Sequence, residues 1–321
     1  MNLDATNVSE LLDLPALIAA MEKAFRDGFD IPARHHHKIA VPGGADATLL
    51  LMPAWIPGRF IGVKVAQVFP SNSAHQLPSV QSLYLLMSGS TGQLLATIDG
   101  GELTTRRTVA TSSLAARYLA RRESSRLLIV GTGQVARQIA ASHAAVLPVH
   151  HVDVWGRDEA RAHALAEHLS RSGFLAQPVT DLPEATARAD IVSCCTLSHE
   201  PLIDGTWLRP GTHLDLIGSF TPSMREVDDA AIVRSVIIVD TVNALLEAGD
   251  IVQPLQSGLI QHYQIEGTLA DLVNSRHPGR RTTDEITLFK SVGAAIEDLA
   301  AAILCYDRAT TRQKADNRSE S

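Results

Sequence analysis

Cysteine is scarce in this chain: three in 321 residues, Cys194, Cys195 and Cys305, two of them adjacent on an apolar run. So few cannot build a disulfide framework or a zinc site of repeated Cys pairs, and they suit reduced thiols used for packing. Aromatic residues make up only 4% of the chain, and positive charge is outweighed, 28 Lys and Arg against 35 Asp and Glu, for a net charge of −7. Without a basic field the chain has no general attraction for a phosphate backbone, so nucleic acid is not an expected partner. No apolar run approaches the roughly 18 residues that a membrane-spanning helix needs. The opening MNLDATNVSELLDLP carries acids where a secretory signal has its positive region. A cytoplasmic protein with no membrane partner is the expectation.

What is present is aliphatic and glycine-rich: 45% hydrophobic residues and 21 glycines, the makings of an α/β fold. The length suits two domains of about 100–200 residues each. Leu14, Leu17, Ile18, Met21 and Phe25 fall at helical spacing, with Gly28 as a stop. From 37 to 99 the pattern turns to short extended runs, HKIAV, ATLLLMPAW, FIGVKVAQVFP, SLYLLMS and QLLATID, and GSTGQ reads as a hairpin connection. A helix follows near Thr104. From Arg126 the runs LLIVG, HVDVWG, ADIVSCCT, HLDLIG and VIIVD alternate with alanine-rich helices, which predicts a doubly wound parallel sheet. Residues 284–306 read as a last long helix, and 309–321 as a polar tail without a fold.

LLIVGTGQVA, residues 127–136, is a buried strand entering G-x-G-x-x-A and then a helix. In that context Gly131 turns the chain, Gly133 lets the backbone approach a pyrophosphate, and the amides of the helix start, at Gln134 and Val135, face the phosphates. A dinucleotide site is therefore expected, against the alternative of a plain strand-to-helix turn. The next strand ends at Gly156-Arg157 rather than at an acid. An arginine there pairs with a 2′-phosphate, which favours NADPH while leaving NADH open, unless Arg157 is only a solvated loop cation and Asp158 a helix N-cap.

Several segments together resemble the ornithine cyclodeaminase/μ-crystallin family: the GVK strand followed by PSN, LPSVQ, GQLLATIDGGELTTRRTVATS, VGTGQVARQ, VWGR, ADIVSCCT with Pro201 downstream, and TDEITLFKSVGAAIEDLAAA. Their order and spacing hold to about residue 308. The resemblance implies a homodimer in which a Rossmann domain, residues 116–289, is inserted into an α+β substrate-binding and dimerisation domain, residues 1–115 completed by 290–308. It also implies a site for an α-amino or α-imino carboxylate at Arg34, Lys64 and Arg107, with Lys64 as the catalytic acid. Lys290, Ser291 and Gly293 would lie near the nicotinamide end of the cofactor.

Read from the residues alone, two arginines and a lysine can surround one carboxylate. Lys64, between Val63 and Val65 on an alternating strand, reads equally as a solvent-face lysine. Arg107 is placed at a helix start, where a cation opposes the dipole. Gly293 is read inside the last helix, as a close-approach point for the cofactor or for a neighbouring helix. His35, His36 and His37 point to alternate faces of an extended segment, poor geometry for a metal, and none is expected.

Cyclodeaminases of the family carry an aspartate in the loop after the fifth Rossmann strand. The matching position in Ile217-Gly218-Ser219-Phe220-Thr221-Pro222 is Phe220. Asp215 reads as part of the strand, and Asp228 and Asp229 as a helix start. The loop resembles the branch that reduces Δ1-pyrroline-2-carboxylate and Δ1-piperideine-2-carboxylate, with Phe220 either walling the substrate or packing in the loop. An ornithine cyclodeaminase, an amino-acid dehydrogenase or a small-ligand-binding crystallin are the alternatives.

Overall fold

A computed structural model describes residues 1–28, 31–32, 34–75 and 77–319. The chain forms two compact units, Met1–Arg107 with Ala294–Ser321, and Thr108–Gly293. The sequence reading had put the divisions at 115/116 and 289/290.

In the first unit, β1 (Asn2–Leu3), α1 (Ala5–Leu11) and α2 (Leu14–Asp27) precede five longer strands, β2 (His35–Ile39), β3 (Ala47–Ile56), β4 (Phe60–Val68), β5 (Val80–Ser88) and β6 (Leu94–Asp99). The sheet order is β1-β6-β5-β4-β3-β2, antiparallel except for the β1–β6 pair. Period-two alternation sends Gly62, Lys64 and Ala66 to the buried face beside Tyr84 and Leu86. The opposite face is apolar but only half covered: Leu51, Val65 and Leu83 are directly opposite one another across three strands, as are Pro53, Val63 and Leu85. Helix α3 (Gly100–Leu119) then runs across the division between the units.

The second unit contains β7 (Arg126–Val130), α4 (Gln134–Ala144), β8 (His151–Trp155), α5 (Glu159–Arg171), β9 (Leu175–Pro178), α6 (Leu182–Arg188), β10 (Ile191–Cys194) and β11 (His213–Leu216). It continues with α7 (Asp229–Val233), β12 (Ser235–Val239), α8 (Ala244–Glu247), α9 (Gly249–Gln256), β13 (Ile265–Thr268), α10 (Leu269–Val273) and β14 (Ile286–Lys290). All eight strands are parallel, in the order β13-β12-β14-β11-β10-β7-β8-β9. The order reverses between β7 and β10, the position at which doubly wound sheets open a ligand crevice. Asp190 fixes the start of both strands, accepting from the backbone N–H groups of Ser125 and Arg126 and from the guanidinium of Arg121. Among the described residues no helix is long and apolar enough to cross a membrane.

Three expectations are corrected. Residues 286–290, read as the beginning of the last helix, form β14, buried at every position in the middle of the sheet. A continuous apolar run has no period by which helix and strand can be told apart. Gly293 consequently lies outside the helix at φ +75°, and α11 (Ala295–Ser319) begins just after it. The segment from 309, read as a tail, continues that helix to Ser319. Arg308 donates to the Leu11 carbonyl and to Asp13, and Arg312 pairs with Glu10 at 3.0 Å. Arg107 sits about two turns inside α3 rather than at its start, so the dipole argument does not apply to it.

Candidate active site

The first unit buries a cluster of opposite charges. Lys64 on β4 and Arg107 on α3 are 4% and 5% exposed, and the first turn of α11 brings Glu297 and Asp298, both fully buried, against them. Asp298 lies between the two cations, with Oδ2 at 2.8 Å from Lys64 Nζ and Oδ1 accepting from Arg107 Nε at 3.0 Å. Glu297 Oε2 accepts from Arg107 at 2.5 Å, and Thr104 Oγ1 is 3.5 Å from Lys64 Nζ. Carboxylates in the first turn of a helix are favoured by its dipole, which helps to keep both anions inside. Tyr84, the strand partner of Lys64, is buried with its hydroxyl over Gly62, and it finds no hydrogen-bond partner among the described residues.

Arg34 is half-buried ahead of β2, near enough for its charge to act on both Lys64 and His36. The three cations predicted from sequence therefore gather in one place, and Lys64 is inside the fold rather than on the solvent face. Burial is the largest influence on its ammonium and, with the charges of Arg107 and Arg34, brings it down to about 8, against the opposing pull of Asp298. His35, His36 and His37 form exposed β2, and no group of three His, Cys, Asp or Glu side chains that could hold a metal occurs among the described residues.

The second unit has an open cleft of about 540 Å³ at the carboxyl ends of β7, β8 and β10, lined by Gly131, Gly133, Trp155, Arg157, Cys195 and Thr196 among others. Gly131 has φ +122°, and a Cβ there would stand 2.6 Å from the Cys195 carbonyl, so only glycine fits. Nothing lies within 4 Å of where a Cβ on Gly133 would be. Gly133 is the N-cap of α4 and offers no side-chain cap, which leaves the first-turn amides of Gln134 and Val135 for a ligand. These features fit a dinucleotide pyrophosphate. Asp158 caps α5 through the Arg161 N–H at 3.1 Å and also pairs with the Arg161 side chain, so the acid nearest the strand end is committed elsewhere. Arg157 is exposed in the cleft lining.

Lys290 does not reach that cleft as a free cation. It is fully buried, donating to the Gly218 carbonyl, with Asp250 at 3.7 Å and Glu226 at 3.9 Å. Ser291 and the amides of Val292 and Gly293 are held by Asp240 instead. Phe220 is 39% exposed, in a loop where Ser219 adopts φ +53°. Asp215 lies in β11 and Asp228 caps α7, as expected.

Sequence reasoning missed Glu297 and Asp298. Two adjacent acids directly ahead of the apolar run at 299–305 are the available signal. It also missed a buried Ser193–His143–Asp215 constellation. Ser193 Oγ donates to Asp215 at 2.8 Å and His143 Nε2 is 3.1 Å from Ser193. The hydroxyl is spent on the carboxylate and all three residues are fully buried, so this is a core network rather than a nucleophile.

The sequence profile of the Ornithine cyclodeaminase/mu-crystallin family matches residues 1–313. A Δ1-pyrroline-2-carboxylate reductase of Paracoccus denitrificans is 40% identical over 282 residues, 87% of this chain and 89% of that protein. The structure of Thermococcus litoralis Δ1-pyrroline-2-carboxylate reductase in complex with NADH and L-proline has a TM-score of 0.92 and 32% identity, covering 98% of each chain. An archaeal alanine dehydrogenase dimer with bound NAD has a TM-score of 0.91 and 28% identity, over 98% of this chain and 97% of that one. The chain belongs to the ornithine cyclodeaminase/mu-crystallin family.

Proposed function

We propose that this protein is an NAD(P)H-dependent reductase of cyclic imino acids, converting Δ1-pyrroline-2-carboxylate, Δ1-piperideine-2-carboxylate or both to L-proline and L-pipecolate. The observation that carries the reading is the buried pairing of Lys64 and Arg107 with Glu297 and Asp298, with half-buried Arg34 near enough for its charge to act on Lys64. Guanidinium groups and an ammonium brought to one place suit a carboxylate, an arginine giving a bidentate clamp and the lysine a movable charge. A reductase of this name among the relatives and the absence of an acid at Phe220 support the imine over an amine substrate.

A bound reduced nicotinamide supplies the hydride that adds to the carbon of the C=N bond. The arginines hold the carboxylate and fix the face of the imine that is presented. Lys64 keeps or supplies the proton on the imine nitrogen, so that the C=N electrons move onto a protonated centre as the carbon is reduced. Phe220 gives an apolar wall in place of an ammonium-gripping acid. Five- and six-membered rings differ by one methylene, worth about 1–3 kcal/mol in an apolar pocket, so both are substrates to be compared.

In this reading Arg157 favours NADPH by pairing with the 2′-phosphate, Lys290 acts near the nicotinamide end only through the loop it holds, and the half-covered sheet face around Val63 and Leu85 is where two copies meet as a homodimer.

Four outcomes test the reading. NADPH is consumed on addition of Δ1-pyrroline-2-carboxylate, with L-proline formed and no ammonia released from L-ornithine. Ammonia release would establish the cyclodeaminase alternative, and tight ligand binding without turnover the crystallin one. In the same assay kcat/KM falls above pH about 8, and Lys64→Met lowers it about 10²–10⁴-fold at neutral pH; a pH-independent rate would remove Lys64 from the chemistry. Arg157→Ala cuts the NADPH-over-NADH preference by about tenfold or more, and an unchanged ratio would assign Arg157 to solvent. Light scattering gives twice 34.5 kDa for the wild type and a shift toward monomer for Val63→Lys; a monomeric wild type would refute the sheet-face dimer.

A further inference from the structure

Three ionisable side chains in the second unit have no exposed surface and touch neither substrate nor cofactor in the chemistry above: Glu226, Asp250 and Lys290. One ammonium faces two carboxyl groups, Asp250 Oδ2 at 3.7 Å and Glu226 Oε2 at 3.9 Å, and neither of those oxygens has a hydrogen-bond partner among the described residues. Their other oxygens are fully used. Glu226 Oε1 accepts from both the N–H and the hydroxyl of Thr196 at 2.8 Å, and Asp250 Oδ1 accepts from the N–H groups of Glu226 and Val227.

Thr196 lines the dinucleotide cleft beside Cys195. Lys290 grips the Gly218 carbonyl, and Gly218 packs so closely that a Cβ would overlap both the Thr196 carbonyl and the Glu226 carboxyl. Ser219, in its left-handed conformation, accepts from the Asp250 N–H at 3.1 Å and donates to the Met224 carbonyl at 2.8 Å, closing the loop that presents Phe220. One buried cluster therefore fixes both a wall of the cleft and the loop that distinguishes imine from amine substrates.

We propose that Glu226, Asp250 and Lys290 form a positioning triad that couples the Thr196 wall of the dinucleotide cleft to the Gly218–Met224 loop, with a proton resident on Glu226 as part of the structure. Lys290 and Arg225 face Asp250, Asp229 and Glu226, so two cations meet two carboxylates and one neutral acid, whereas an ionised Glu226 would leave an uncompensated charge. The charged and titratable groups around Glu226 are Lys290, Asp250, the Arg225 guanidinium 3.5 Å from Asp250, and the thiols of Cys194 and Cys195. Burial, the largest influence, and Asp250 push Glu226 up to about 8, against the pull of Lys290 and the Thr196 hydrogen bonds. Since the folded acid holds its proton more tightly than the unfolded one, the stability it confers is complete below about 4.5 and is lost as pH rises toward 8.

The inference rests on the cleft being a dinucleotide site, and two readouts on the full-length protein keep the two ideas separate. The first is the NADPH dissociation constant, by nucleotide fluorescence without imine, from pH 6 to 9.5. Wild-type affinity is expected to weaken above pH 8. Glu226→Gln, isosteric with the protonated acid, stays within about threefold of wild type at pH 6.5 and does not weaken, while Glu226→Ala, which strips Thr196 of its acceptor, binds at least about tenfold more weakly at every pH. The second is thermal unfolding without nucleotide, in which Glu226→Gln gains on wild type steadily between pH 5 and 8. Equal weakening by Gln and Ala would overturn the resident proton, and wild-type affinity in both would overturn the coupling to the cleft. If the wild type binds no nucleotide, the cleft assignment fails instead, and the melting comparison still decides the proton: a pH-independent difference between Glu226→Gln and wild type overturns it.

Discussion

Two cations can stay charged inside the first unit because one carboxylate stands between them. Asp298 touches Lys64 and Arg107 at once, and Glu297 takes a further donor of Arg107. Stripped of those anions, a lysine this deeply buried would shed its proton and an arginine would carry a large desolvation cost. With them, the two cations stay charged and paired inside the fold. The sheet delivers Lys64 through strict alternation on β4, α3 delivers Arg107, and the first turn of α11 delivers both acids. The first unit is built from the two ends of the chain, and its buried ion pairs draw residues from each.

In the proposed function the second unit applies the same economy to phosphate. It needs no cation at the turn, because glycines at 131 and 133 clear the space and uncapped amides of α4 supply the donors. Charges are used behind the cleft instead, where the Glu226 triad and Asp240 hold loops in place. In both units, buried acids hold the groups to which the proposed function gives a ligand, and are themselves out of reach of solvent.

Elements with an unambiguous period were legible in the sequence. The alternating strands from 37 to 99, the strand–turn–helix at 127–144 and the Asp158 cap all fall where their residues predict. Segments with no period were not: β14 is five buried residues without alternation, and β9 is a short edge strand ending in proline. Arg34, Lys64 and Arg107 could be placed through a family resemblance, but their partners could not. Glu297 and Asp298 lie about 190 residues from Arg107 in sequence, and no local pattern signals a contact at that range. Lys290 shows the converse: its position was recognised, while its direction, into the core and onto Gly218, came only from the fold.

The central claim is that Asp298 keeps Lys64 protonated where the imine is reduced, and the pH dependence of kcat/KM for the imino acid in Asp298→Asn tests it most directly. Removing an opposite charge in contact lowers an ammonium's pKa by about 1–3 units. The alkaline limb should therefore move from near 8 to about 7 or below, with NADPH affinity unchanged. An Asp298→Asn enzyme whose limb stays near pH 8 would contradict the account.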